Sequence, residues 1–209
     1  MLFSLDLDHL VVTARTLDEG AAYVEAVLGV KLSPGGHHPH MGTHNLLLSL
    51  GPKAYLEVIA IDPEAPPPDR PRWFNLDSFD QAPRMNNWVC QTDHLDAALE
   101  EAPEGTGEPY ELSRGDFAWT MAIPSNGRLP FDEAMPALIE WDAASPHPAG
   151  RLPDLGVRLE RLDVFHPDAQ NVMAQFPALA TLERVAVRKG PEKRLIATIA
   201  TQEGSRVLA

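Results

Sequence analysis

The order of elements constrains this chain more than any single motif does. From Leu5 onward the sequence reads strand, helix, strand, strand, strand, and from Asn86 onward it reads so again. The offset, roughly 80 residues, is the mark of an internal duplication. The repeat predicts an α+β chain.

In the first unit, Leu5 to Ala14 (LDLDHLVVTA) is a strand whose alternation sets Leu5, Leu7, His9 and Val11 on one face. On that reading Asp6, Asp8, Leu10 and Val12 take the other. Thr16 then caps a helix, with Glu19 completing a capping box and Ala21, Val24, Val27 and Leu28 at helical spacing. Gly29 suits the helix end. Val30 to Ser33 reads as a strand, and Pro34-Gly-Gly-His-His-Pro-His40 as a loop. Met41 to Ile61 (MGTHNLLLSLGPKAYLEVIAI) is a pair of strands around a turn at Gly51-Pro52. Its second strand sets Tyr55, Glu57, Ile59 and Ile61 on one face. A lone carboxylate on an apolar face is costly unless a cation, a metal or a hydrogen-bond donor meets it, which makes Glu57 the first candidate for function.

Residues 62–85 are rich in Pro and acids and form a connector, although Trp73 and Phe74 predict that it packs down. The second unit follows: strands at 86–92, 108–114, 117–123 and 137–142, with a helix at 95–102. Its last strand (ALIEWD) again carries one internal carboxylate, Glu140, and places Trp141 on the opposite side. A tail of similar type has strands at 157–166, 182–189 and 194–201 and a helix after Pro167. It reads as a partial third module or as a βαββ extension. The domain division expected is 1–150 for the paired modules (about 5–61 and 86–142) and 151–209 for the extension.

Composition removes several function classes. A net charge of −13 opposes nucleic acid as the main partner, since phosphate binding needs basic patches. No apolar run is long enough for a membrane span, and the acidic N-terminus does not read as a signal peptide. A single cysteine, Cys90, excludes an internal disulfide and fits the cytoplasm. Gly-x-Gly-x-x-Gly, P-loop and Gly-x-Ser-x-Gly patterns are missing, so no nucleotide cofactor is expected.

The segments LDHLVVTARTLDEGAAYVEAVLGV, GTHNLLLSLGPKAYLEVIAIDP and ALIEWDAASPHPAG resemble the glyoxalase-like branch of the vicinal-oxygen-chelate superfamily. The resemblance spans about residues 5–150. It implies paired βαβββ modules forming a curved mixed sheet around a cleft. In metal-using members the ligands come from the first and fourth strands of each module. Carried over, these positions are His9 and Glu57 in the first module and Glu140 in the second. The remaining position falls on Asn87, where a stronger ligand is usual.

The resemblance therefore implies a divalent cation (Zn, Mn, Fe or Ni) on His9, Glu57 and Glu140, with Glu57 and Glu140 also able to move protons. Substrate contacts would come from His44, Asn45, Tyr55, Asn87, Arg114 and Trp119. His9 and Glu57 paired directly, without a metal, are the alternative. The function implied is that of an enzyme acting on a small oxygenated organic molecule, with isomerase, lyase and dioxygenase chemistry all open. A non-catalytic small-molecule-binding or resistance-type protein on the same fold is the rival. A homodimer is compatible with such sheets.

Overall fold

The computed structural model describes residues 2–209. The first module comprises β1 (Leu5–Thr13), α1 (Leu17–Leu28), β2 (Ser33–His38), β3 (Thr43–Ser49) and β4 (Tyr55–Ile61). The second comprises β5 (Arg84–Thr92), α2 (Leu95–Glu101), β6 (Glu108–Arg114), β7 (Phe117–Ile123), a short turn α3 (Pro130–Glu133) and β8 (Ala137–Trp141). Their strands make one eight-stranded sheet in the order β2-β3-β4-β1-β5-β8-β7-β6. Each half has the same internal plan: β4 runs parallel to β1, and β8 parallel to β5. The halves join through the antiparallel pair β1–β5. The sheet curls until its edge strands β2 and β6 come into contact, and it thereby encloses a cleft.

Local chemistry sets the element ends. The Thr16 hydroxyl accepts from the Glu19 amide at 3.2 Å and starts α1. Gly29, at φ 72°, ends it in the left-handed conformation that only glycine adopts without strain. One expectation fails between Val30 and His40. The strand there is Ser33–His38 and not Val30–Ser33, so most of the expected loop is edge strand. Pro34 is tolerated because an edge strand needs only half its donors.

The face away from the cleft carries Leu10, Val12, Leu56, Val58 and Leu138, packed against Val24 and Leu28 of α1 and Leu95 and Ala98 of α2. Fully burying each such side chain stabilises by about 2 kcal/mol. The same continuous cluster takes in Leu162, Val164, Leu195, Ala197 and Ile199 from a second sheet. That sheet is built from β9 (Arg158–His166), β10 (Val185–Lys189), β11 (Arg194–Thr201) and β12 (Gly204–Leu208), with α4 (Ala169–Gln175) between its first two strands. Its order is β10-β9-β11-β12, unlike either module, and β12 is a strand beyond the βαββ pattern read from the sequence. Among the described residues no helix is long and apolar enough to cross a membrane.

The connector packs down, as Trp73 and Phe74 predict. Trp73, Phe74 and Leu76 are buried on the cleft side with Val11, Ile59, Val89, Trp119 and Ile139. Phe74 and Asn75 hold left-handed conformations (φ 57° and 53°), which cost of order 1–2 kcal/mol per non-glycine residue.

Candidate active site

A bulge in β1 shapes the site. Leu7 pairs with Cys90 and His9 with Val89, so Asp8 is one residue more than β5 can match. The bulge resets the alternation. Leu7, Leu10 and Val12 face the core, while His9 and Val11 face the cleft. Asp8, expected opposite His9, is instead fully buried beside it. Its Oδ1 accepts from His9 Nδ1 at 2.5 Å, and its Oδ2 from Trp141 Nε1 at 2.8 Å and His147 Nε2 at 2.9 Å. Burial alone would raise the Asp8 carboxyl; the donors from His147 and His9 outweigh it and hold the group far below the usual carboxylate range.

Thus oriented, His9 turns Nε2 toward Glu57 Oε2 at 3.5 Å. Burial opposes charge on the ring, but the Asp8 and Glu57 carboxylates prevail and raise His9 to about 9. At neutral pH His9 is therefore an imidazolium between two carboxylates. Burial pushes Glu57 up, and the His9 and Asn45 contacts more than reverse it, so its pKa is lowered. Tyr55, level with His9 on β4, stacks on the imidazole with ring centroids 4.5 Å apart.

A polar chain continues from Glu57. Asn45 Nδ2 donates to Glu57 Oε1 at 2.5 Å, and Asn45 Oδ1 accepts from the Gly36 amide at 2.8 Å. Arg114 reaches over from β6 to Asn45 Oδ1 (3.4 Å) and donates to His38 Nε2 (3.0 Å). His38 Nδ1 then donates to the Thr43 hydroxyl at 3.0 Å. Burial, helped by the Arg114 charge, lowers His38 to about 4, so this second histidine is neutral. Gly35 and Gly36 permit the crossing. A Cβ on Gly35 would sit 2.0 Å from Asn45 Oδ1, and one on Gly36 would sit 2.7 Å from Arg114 Cδ.

His9, His38, Asn45, Tyr55, Glu57, Arg114, Trp119 and Trp141 thus border one cavity of about 40 Å³, and Trp73 and Phe74 form part of its wall. The indole nitrogen of Trp73 is buried without a hydrogen-bond partner among the described residues.

Three expected site residues are not brought here. Glu140 lies on the other face of β8, where its Oε2 accepts from the Leu95 amide at 2.7 Å and caps α2. The N-cap residue His94 makes no side-chain cap of its own, so the helix takes its acceptor from the neighbouring strand. Trp141, expected outside, takes the cleft face instead. Asn87 is tied to Asn86 and donates to Glu133 Oε2 at 2.6 Å. His44 points away from the cleft and lies opposite His37. There His37, His44 and Asp62 bring one ligand atom each to within 4.8 Å of one another, a grouping that a divalent cation could use.

In the cleft, by contrast, the implied metal set is not assembled. Glu140 is absent from it, both His9 nitrogens already face carboxylates, and the Arg114 guanidinium borders the same cavity. The contributions of Asp8 and His38 escaped sequence reasoning, because one depends on a bulge and the other on β2 being a strand.

Comparison with known proteins bears on this arrangement. The family model described as glyoxalase-like domain matches residues 7–180. Among curated proteins none matches the chain significantly. Among solved structures, a hypothetical protein from Staphylococcus aureus is 14% identical, over 91% of this chain and 88% of that one, with a TM-score of 0.61. Methylmalonyl-CoA epimerase from Mycobacterium tuberculosis is 16% identical over 65% of this chain and 85% of its own, at TM-score 0.43. The Mn(II)-bound glyoxalase from Novosphingobium aromaticivorans is 9% identical over 96% and 79%, at 0.48. The extent of the family match makes this chain a member of the glyoxalase-like domain family.

Proposed function

We propose that the chain is an enzyme that moves a proton on a small oxygenated organic molecule, with Glu57 as base and His9 as acid. The observation that carries this reading is the buried imidazolium–carboxylate pair, His9 Nε2 to Glu57 Oε2 at 3.5 Å, lining a small cavity. Glu57 takes a proton from the carbon beside a carbonyl. The His9 imidazolium, fixed by Asp8, donates to the enolate oxygen as charge develops there. Return of the proton to the other face, or to the adjacent carbon, while His9 takes its own proton back from the enol oxygen, completes an isomerisation. Arg114 supplies a fixed positive charge at the rim for an anionic group on the substrate. Isomerase chemistry needs only an acid and a base, so the residues at hand favour it over lyase or dioxygenase chemistry. A cytoplasmic setting, suggested by the single buried thiol, belongs to the same proposal.

The test is α-proton exchange. Small 2-oxo and 2-hydroxy acids are incubated with the protein in D₂O and followed by NMR. Exchange is expected for at least one of them, reduced about 10²–10⁴-fold in Glu57→Gln. Exchange for none of them, or equal exchange by the variant, would overturn the reading.

The rival is a non-catalytic binder, favoured by the small cavity and the satisfied polar chain around it. A compound that raises the melting temperature yet undergoes no exchange would establish it.

A further inference from the structure

Outside the cleft, one cluster has metal-ligand chemistry and no role in the proton-transfer scheme. His37 on β2 lies directly opposite His44 on β3, and Asp62 follows the last residue of β4. Three neighbouring strands thus present two imidazoles and one carboxylate together. His44 is half-buried and Asp62 buried, whereas His37 is exposed, so the group is anchored on one side and open on the other. Asp62 is oriented before any ion arrives. Its Oδ1 accepts from the Glu64 amide at 3.0 Å, leaving Oδ2 to face the imidazoles. His37 Nδ1 meets that oxygen at 2.6 Å, and the two imidazole centroids stand 6.0 Å apart.

The geometry points to a divalent transition-metal site on His37, His44 and Asp62, of which Zn²⁺ is the best-suited occupant. Two His nitrogens and one carboxylate oxygen are the ligand set that Zn²⁺ and its first-row neighbours accept, with a fourth position left for water. Ligand atoms about 2.0–2.1 Å from a tetrahedral ion stand about 3.3 Å apart. The three atoms here are already within 4.8 Å of one another. His37 has to withdraw from Asp62 by a fraction of an ångström, and its side chain is the exposed one. The backbone amide on Asp62 then does what outer-shell donors do at metal sites, fixing the carboxylate's orientation. The site lies on the β2–β3 edge, on the face that His44 shares with Leu46 and Leu48, and is separate from the cavity beside Trp73.

The experiment is calorimetric titration of the chelator-treated full chain with ZnCl₂, alongside Co²⁺ absorption spectra. One equivalent of Zn²⁺ is expected to bind, with a Co²⁺ spectrum of mixed nitrogen and oxygen ligation. His44→Ala and Asp62→Asn should each weaken Zn²⁺ binding at least about tenfold. His37→Gln, at an exposed position that leaves the fold untouched, should do the same, and Glu57→Gln should not. No binding by the wild type overturns the site. So does binding that survives His37→Gln and Asp62→Asn, or binding that Glu57→Gln abolishes, which would move the ion to the cleft.

Discussion

Asp8 sets the chemistry of its neighbours although it faces no solvent. Three donors converge on it, and through it His9 carries a charge that burial alone would remove. This gives the protein a defined pH response. Folded His9 keeps its proton to about 9 against an ordinary 6.5, so its contribution is complete below 6.5 and is lost as pH rises through 9. The amount at stake is of order 3 kcal/mol. Asp8 and Glu57, both lowered, act in the other direction: their contributions are present above the ordinary carboxylate range and disappear on acidification. Melting temperature measured from pH 6 to 10 should therefore fall on the alkaline side, and in Glu57→Gln the fall should begin closer to neutrality. An unmoved alkaline edge would mean that Glu57 does not hold the His9 charge. Glu57 was legible as a candidate because an unpartnered polar side chain on an apolar strand asks for a partner, and His9 through the family resemblance. Asp8 was not, because strict alternation assigns it to the far face and only the bulge brings it round.

At the level of elements, the pleat decides which carboxylate can act. Ala137, Ile139 and Trp141 line the cleft side of β8, so Glu140 must lie with Leu138 on the other. Family position suggested a ligand there; the α2 amide of Leu95 claims it as a cap. Glu140→Ala should cost about 1 kcal/mol in chemical denaturation, as loss of a cap does, and leave proton exchange unchanged. A large loss of exchange with little loss of stability would return Glu140 to the site. Helix α1 was legible to the residue, since its Thr16 box and Gly29 stop are local signals. Strand β2 was not. Pro34-Gly-Gly spells a loop by composition, and only pairing with β3 makes it a strand, placing His38 in the cleft and His37 beside His44. Long-range pairing overrode local propensity.

For the molecule as a whole, the duplicated order of elements was legible as a repeat, and the family resemblance supplied the sheet curved around a cleft. The placement of the tail was not legible, since its contacts join residues far apart in sequence. Tyr23 of α1 hydrogen-bonds the carbonyl of Ala209 at 2.7 Å, and Leu10 and Leu162 belong to one apolar cluster. A division near residue 150 thus separates chain segments that share a core. A chain ending at 150 should keep strand content in far-ultraviolet circular dichroism but lose near-ultraviolet signal and bind ANS. A sharp cooperative melt by that fragment would show that the paired modules stand alone.

The Trp73–Phe74 part of the cavity wall has a kinetic meaning as well as a steric one. A space of about 40 Å³ has room for a water molecule and little more, so an organic ligand is expected to need part of the wall to move. The orphaned indole nitrogen and the left-handed Phe74–Asn75 pair carry strain that a rearrangement of this segment would release. If that wall has to move, binding speed should level off as ligand concentration rises, at a ceiling set by how often it does, and the apparent affinity should fall short of the intrinsic one by the fraction of time it does not.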